Sequence, residues 1–116
     1  MNNFNLAVIE GRLTKDAVLE HTPHGTEVLK FSIANNYMVK RKGNNVIKTS
    51  FFNVVAWGRL GIVVAEYLKK GKRIIVSGRL TVENYTTNLG IKKSYIQITA
   101  NNIDFVSFGK NTAKSQ

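Results

Sequence analysis

Phe51-Phe52-Asn53-Val54-Val55-Ala56-Trp57 is the segment with the most chemistry to offer. Read as a strand, it sets Phe51, Asn53, Val55 and Trp57 on one face and Phe52, Val54 and Ala56 on the other. A small barrel needs only one apolar face for its core. The other face, with two large rings, suits stacking on flat unpaired bases. The competing reading buries Phe51 or Trp57 under a loop or against a second subunit.

A second alternating stretch repeats the logic. Ile74, Val76, Gly78, Leu80 and Val82 share a core-like parity. Arg73, Ile75, Ser77, Arg79, Thr81, Glu83 and Tyr85 share the opposite one, which joins two guanidinium groups to a terminal ring. A plain solvated face explains Arg79 equally well, but explains Tyr85 less well beside Lys92-Lys93. Tyr37-Met38-Val39-Lys40-Arg41-Lys42 interleaves an aromatic and apolar groups with three consecutive cations. A long hairpin there could curl over a bound strand, or simply be an exposed basic tip.

Other chemistry finds few residues. His21 and His24 flank Thr22-Pro23 in a turn, without the further ligands a metal site needs. The carboxylates and serines are scattered, with no phosphate loop or nucleophile elbow. The expectation is a binding protein and not an enzyme, with no cofactor and no metal.

Composition agrees. Seventeen Lys and Arg against seven Asp and Glu leave +10 on 116 residues, with a sequence pI near 10.1. Such an excess favours a polyanion partner, and nucleic acid is the commonest; the alternative is charge that serves solubility alone. The charge is segmental: from Lys30 to Ala65 the cations are Lys30, Lys40, Arg41, Lys42, Lys48 and Arg59, with no acid among them. A second cluster is Lys69, Lys70, Lys72 and Arg73, and a third is Lys92-Lys93. There is no cysteine, hence no disulfide or thiolate site and a pointer to a reducing compartment. No apolar run is long enough to span a bilayer, and residues 1–5 lack the features of a signal peptide. The expectation is a cytoplasmic protein with no membrane partner.

The elements that must position these residues are mostly strands: residues 6–13, with Gly11 marking a bulge or bend, then 28–34, 46–57, 72–85 and 93–100. Residues 41–45 read as a polar basic loop. Leu60, Val63, Val64, Tyr67 and Leu68 follow helical spacing, and Lys69-Lys70-Gly71 reads as the helix end. One short helix between strands 3 and 4 fits an all-β fold, a five-stranded Greek-key OB-fold barrel. Periodicity alone also permits another small barrel or an α+β sheet. The expected domain is 1–106, with 107–116 a flexible C-terminal tail.

Val8-Ile9-Glu10-Gly11-Arg12-Leu13, Thr22-Pro23-His24-Gly25, the segment from Phe51 to Leu60, Ala65-Glu66-Tyr67-Leu68-Lys69-Lys70-Gly71 and Val76-Ser77-Gly78-Arg79-Leu80 occur in an order and spacing that resemble the bacterial single-stranded DNA-binding protein family. The resemblance covers about residues 4–106. It implies an OB-fold that binds and protects single-stranded DNA without sequence preference in replication, recombination and repair. It also implies a homotetramer and a nucleoid-associated location.

The family's stacking positions fall on Phe51, Trp57 and Tyr85. A further hairpin aromatic falls at Val39, so Tyr37 would substitute from two residues away. Asn53, Lys40, Arg41, Lys42, Lys48, Arg59, Arg73, Arg79, Lys92 and Lys93 complete the expected nucleic-acid-binding set. Two usually basic positions fall on Thr81 and Glu83, which weakens local phosphate contact unless Arg79 and Arg73 compensate. The family's acidic C-terminal recruitment tip is absent from this chain, which has no acid after Asp104. A second function class uses the same fold: a primosomal OB-fold interaction protein, dimeric, with weaker single-strand binding.

Overall fold

The computed structural model describes residues 2–106. In chain order the elements are β1 (Ala7–Leu13), β2 (Val18–His21), β3 (Glu27–Arg41), β4 (Asn44–Trp57), α1 (Arg59–Val64), a 3-10 turn (Ala65–Tyr67), β5 (Arg73–Thr86) and β6 (Lys92–Phe105). The alternation expected in β3 is realised: Leu29, Phe31 and Ile33 are buried and Lys30 is exposed. Their partners in the core include Val54, Ala56, Ile74, Val76 and Ile98, the inward residues of β4, β5 and β6.

The strands follow the order β1-β5-β6-β4-β3, and β1 then pairs β3 through Arg12↔Ala34 and Leu13↔Ile33, closing a barrel. Closure gives each barrel strand partners on both sides over part of its length, without a second sheet. Among the described strands only β4 and β6 run parallel, from Asn53↔Gln97 to Val55↔Thr99. The short strand β2 was not expected from the sequence. It pairs β3 from Val18↔Lys30 to His21↔Glu27. Between Leu13↔Ile33 and Val18↔Lys30 the chain advances five residues against three on β3. Thr14 N–H donates to the Ser32 carbonyl at 3.0 Å in that gap. β1 and β2 are therefore one strand interrupted by a two-residue bulge, and the barrel has five strands.

Further boundaries differ from the sequence reading. Residues 41–45 do not form a loop: β3 and β4 continue to a two-residue turn at Lys42-Gly43, with φ of 51° and 80°. Two successive positive φ values match the twist of a long hairpin. The helix is shorter than its spacing suggested, ending at Val64, because the Ile62-Val63-Val64 run is a weak helix former. The chain beyond is held by the β1–β2 connection, with Asp16 Oδ1 accepting from Lys70 N–H at 2.7 Å and the Leu68 carbonyl accepting from Ala17 N–H at 2.9 Å. Leu68 itself is fully buried under the barrel.

Of the bulge or bend expected at Gly11, no bulge forms there. Gly11 stays in register with Ile74, at the corner where β1 passes from β5 to β3. The shift occurs at Ser77/Gly78, where Ser77 faces Asn102 and Gly78 faces Ala100. A Cβ on Gly78 would stand 2.1 Å from the Thr99 carbonyl oxygen, so the backbones approach as only glycine allows. Gly78→Ala is expected to lower the thermal midpoint by at least about 5 °C, since overpacking costs about 1–3 kcal/mol in a domain of this size. A far-UV circular dichroism melt checks this, and an unchanged midpoint would mean that the corner yields freely.

Candidate nucleic-acid interface

Register decides which outward residues meet. On the outer face, Ser32 faces Asn53, Asn53 faces Gln97 and Gln97 faces Thr81. The next row joins Lys30, Val55, Thr99 and Arg79 in the same way. Tyr95 faces Glu83, and Lys93 faces Tyr85. Phe51 and Trp57 flank these rows on β4 with the same parity as Asn53 and Val55. One continuous face thus carries Phe51, Trp57, Tyr85 and Tyr95.

All four rings are 42 to 67% exposed. Polar tips account for part of this in the tyrosines, but not in Phe51, the most exposed of the four. The Tyr85 and Tyr95 centroids lie 5.9 Å apart at 57°, a tilted contact between the two rings. Val55 is buried and lines a groove with Tyr95 and Trp57. The Thr81 and Thr99 hydroxyls approach to 3.4 Å beside it. Flat apolar surfaces separated by hydrogen-bonding side chains can stack unpaired bases and bind their edges.

The other sequence candidates divide. Asn53, Arg79 and Lys93 stand on the same face as the rings. Lys40 keeps that parity further along the hairpin, opposite Asn45. Tyr37 faces Lys48, and Arg41 faces Asn44, both on the reverse parity. Lys92 faces Thr86 on the reverse of Lys93, and Lys42 occupies the turn. Arg59 opens α1, exposed and two residues past Trp57.

Arg73 stands apart, on the β1 side of the barrel facing Arg12. Its Nε donates to the Glu10 carboxylate at 2.9 Å. Lys30 is also matched, with Glu20 at 3.1 Å. The cations of the face are thus Arg79, Lys93 and Lys40, with Lys42 and Arg59 at its margins.

Sequence reasoning missed Tyr95, Gln97 and Thr99. The signal was present, because Lys93, Tyr95, Gln97 and Thr99 alternate through the last strand. Among the described residues no three His, Asp or Glu side chains gather as a metal site would require. No described helix is long and apolar enough to cross a membrane.

The single-strand binding protein family model matches residues 4–106. A single-stranded DNA-binding protein of Borreliella burgdorferi is 38% identical over 117 residues, covering all of this chain, which spans 78% of that protein. One from Treponema pallidum is 37% identical over 106 residues, 91% of this chain and 60% of that protein. Among solved structures, a Plasmodium falciparum complex of such a protein with single-stranded DNA matches the fold with a TM-score of 0.82, at 22% identity, covering 92% of this chain and 98% of that one. A deletion mutant of the single-stranded DNA binding protein from Thermus aquaticus matches with a TM-score of 0.79 at 28% identity, over 90% of this chain and 51% of that one.

Proposed function

The chain belongs to the single-strand binding protein family, and from that premise we propose that it binds and protects single-stranded DNA without strong sequence preference, in replication, recombination and repair. The observation that carries this reading is the set of four exposed rings on one barrel face. Stacking needs only a π-face, which every unpaired base offers and duplex hides. Arg79, Lys93, Lys40 and the hairpin tip supply phosphate contacts beside it. The role is binding, not catalysis. Its setting is the cytoplasm, in association with the nucleoid, and the assembly is a homotetramer in which the exposed outer side of β1 makes one of two interfaces.

The test is a titration of the chain with labelled oligo-dT and with duplex of equal length, at several salt concentrations. Trp57 is the only tryptophan, so its emission reports occupancy directly. Single strand is expected to bind more tightly, to quench that emission, and to lose affinity with salt at a slope of about −0.7 per neutralised phosphate. Equal affinity for duplex at the same salt would overturn the reading.

A further inference from the structure

One carboxylate sits where a phosphate-binding face would not place it. Glu83 faces Tyr95 across β5 and β6, on the same side as the rings. It lines a groove of about 320 Å³ with Trp57, Val55, Tyr95, Gln97 and Glu20. Glu20 has its charge matched by Lys30. Glu83 is half-buried and has neither an ion pair nor a hydrogen bond among the described residues.

An unmatched carboxylate repels the DNA backbone, so a strand crossing this groove must present base edges to it and keep its phosphates outside. The bases differ in what they can offer. Cytosine and adenine carry an exocyclic amino donor, and guanine adds a ring N–H beside its own. Thymine sets two carbonyl acceptors around a single N–H. A carboxylate accepts well from an amino group, and meets repulsion from flanking carbonyls.

We propose, resting on the single-strand reading, that Glu83 is a specificity-determining residue: the groove between Trp57 and Tyr95 takes a stacked base with an exocyclic amino group, and disfavours thymine. Stacking on the rings supplies sequence-tolerant affinity, and Glu83 adds a bias at one base position. Glutamine at this position keeps the shape of the side chain but turns one acceptor into a donor, which can pair with a thymine carbonyl.

The experiment compares oligo-dC with oligo-dT of equal length, for the full chain and for Glu83→Gln, at neutral pH and fixed salt, with duplex as reference. Both pyrimidine strands self-stack weakly, so their ratio reports the groove. Glu83→Gln is expected to melt like the parent and to shift the dC:dT affinity ratio toward dT by about fivefold. If both affinities rise by the same factor, Glu83 acts only as a distant charge and the proposal fails while single-strand binding stands. If the parent prefers neither oligomer over duplex, the single-strand reading fails and takes the proposal with it.

Discussion

Phe51→Ala should weaken oligo-dT binding by roughly 1–3 kcal/mol, the range for one base stacked on one ring, without moving the thermal midpoint. The two halves of that expectation have separate causes. Phe51 is 67% exposed and its cross-strand neighbour is Ala34, so its ring holds little of the barrel together. Its value must then lie in what it contacts from outside. Tyr85→Ala should cost a similar amount, and because Tyr85 leans on Tyr95, it should not add with Tyr95→Ala. Trp57→Ala should also weaken binding, but with some loss of stability, since Trp57 covers the buried Val28 opposite. The salt slope separates stacking from charge: Phe51→Ala leaves it unchanged, whereas Arg79→Ala or Lys93→Ala lowers it by about 0.7. A folded Phe51→Ala that binds like the parent would end the stacking model.

Much of this site was legible because a strand has a period of two. Counting from the core residues Val54 and Ala56 turns Phe51 and Trp57 outward, as the structure has them. The same count from Ile33 would have put Tyr37 on the core parity, facing Lys48, away from Phe51. Proximity to three cations had suggested otherwise. Parity also grouped Arg73 with Arg79, but parity is local. Six residues at about 3.3 Å each carry the strand some 20 Å around a curved barrel, and Arg73 ends beside Glu10 and Arg12.

The length of the β3–β4 hairpin was not legible, because its far half lies outside the barrel and has no core to impose an apolar alternation. Pairing there rests on the Lys42-Gly43 turn and on cross-strand pairs such as Val39↔Val46. β2 was hidden for a related reason: all four of its residues are exposed, and backbone pairing to β3 is what defines it.

Assembly gives the second large effect. β1 carries apolar residues on both faces, and the sequence pointed to Ala7 or Ile9 as the outward position, which the structure reverses. Ile9 packs against the core, and Ala7 shares its inward parity opposite Gly78. Substitution at those two positions would therefore injure the barrel. Leu6 and Val8 are the outward pair, 57 and 59% exposed. Along the same strand, Ala7 to Gly11 pair β5 on one edge, while pairing to β3 begins only at Arg12. An open strand edge beneath an apolar outer face is self-complementary under a two-fold axis, because each copy offers what the other lacks. Val8→Lys brings two like charges toward that axis and leaves them without partners, which costs several kcal/mol once buried. The unmodified chain is expected at four times its 13.0 kDa mass by light scattering, the β1 contact pairing two copies and a second interface pairing the pairs, and Val8→Lys at a smaller mass with an unchanged far-UV spectrum. Glu10, at mid-strand and held by Arg73, provides the control: Glu10→Gln leaves the apolar pair intact and should leave the mass unchanged. A lone 13.0 kDa species for the unmodified chain at micromolar concentration would show that β1 presents its apolar side to solvent alone.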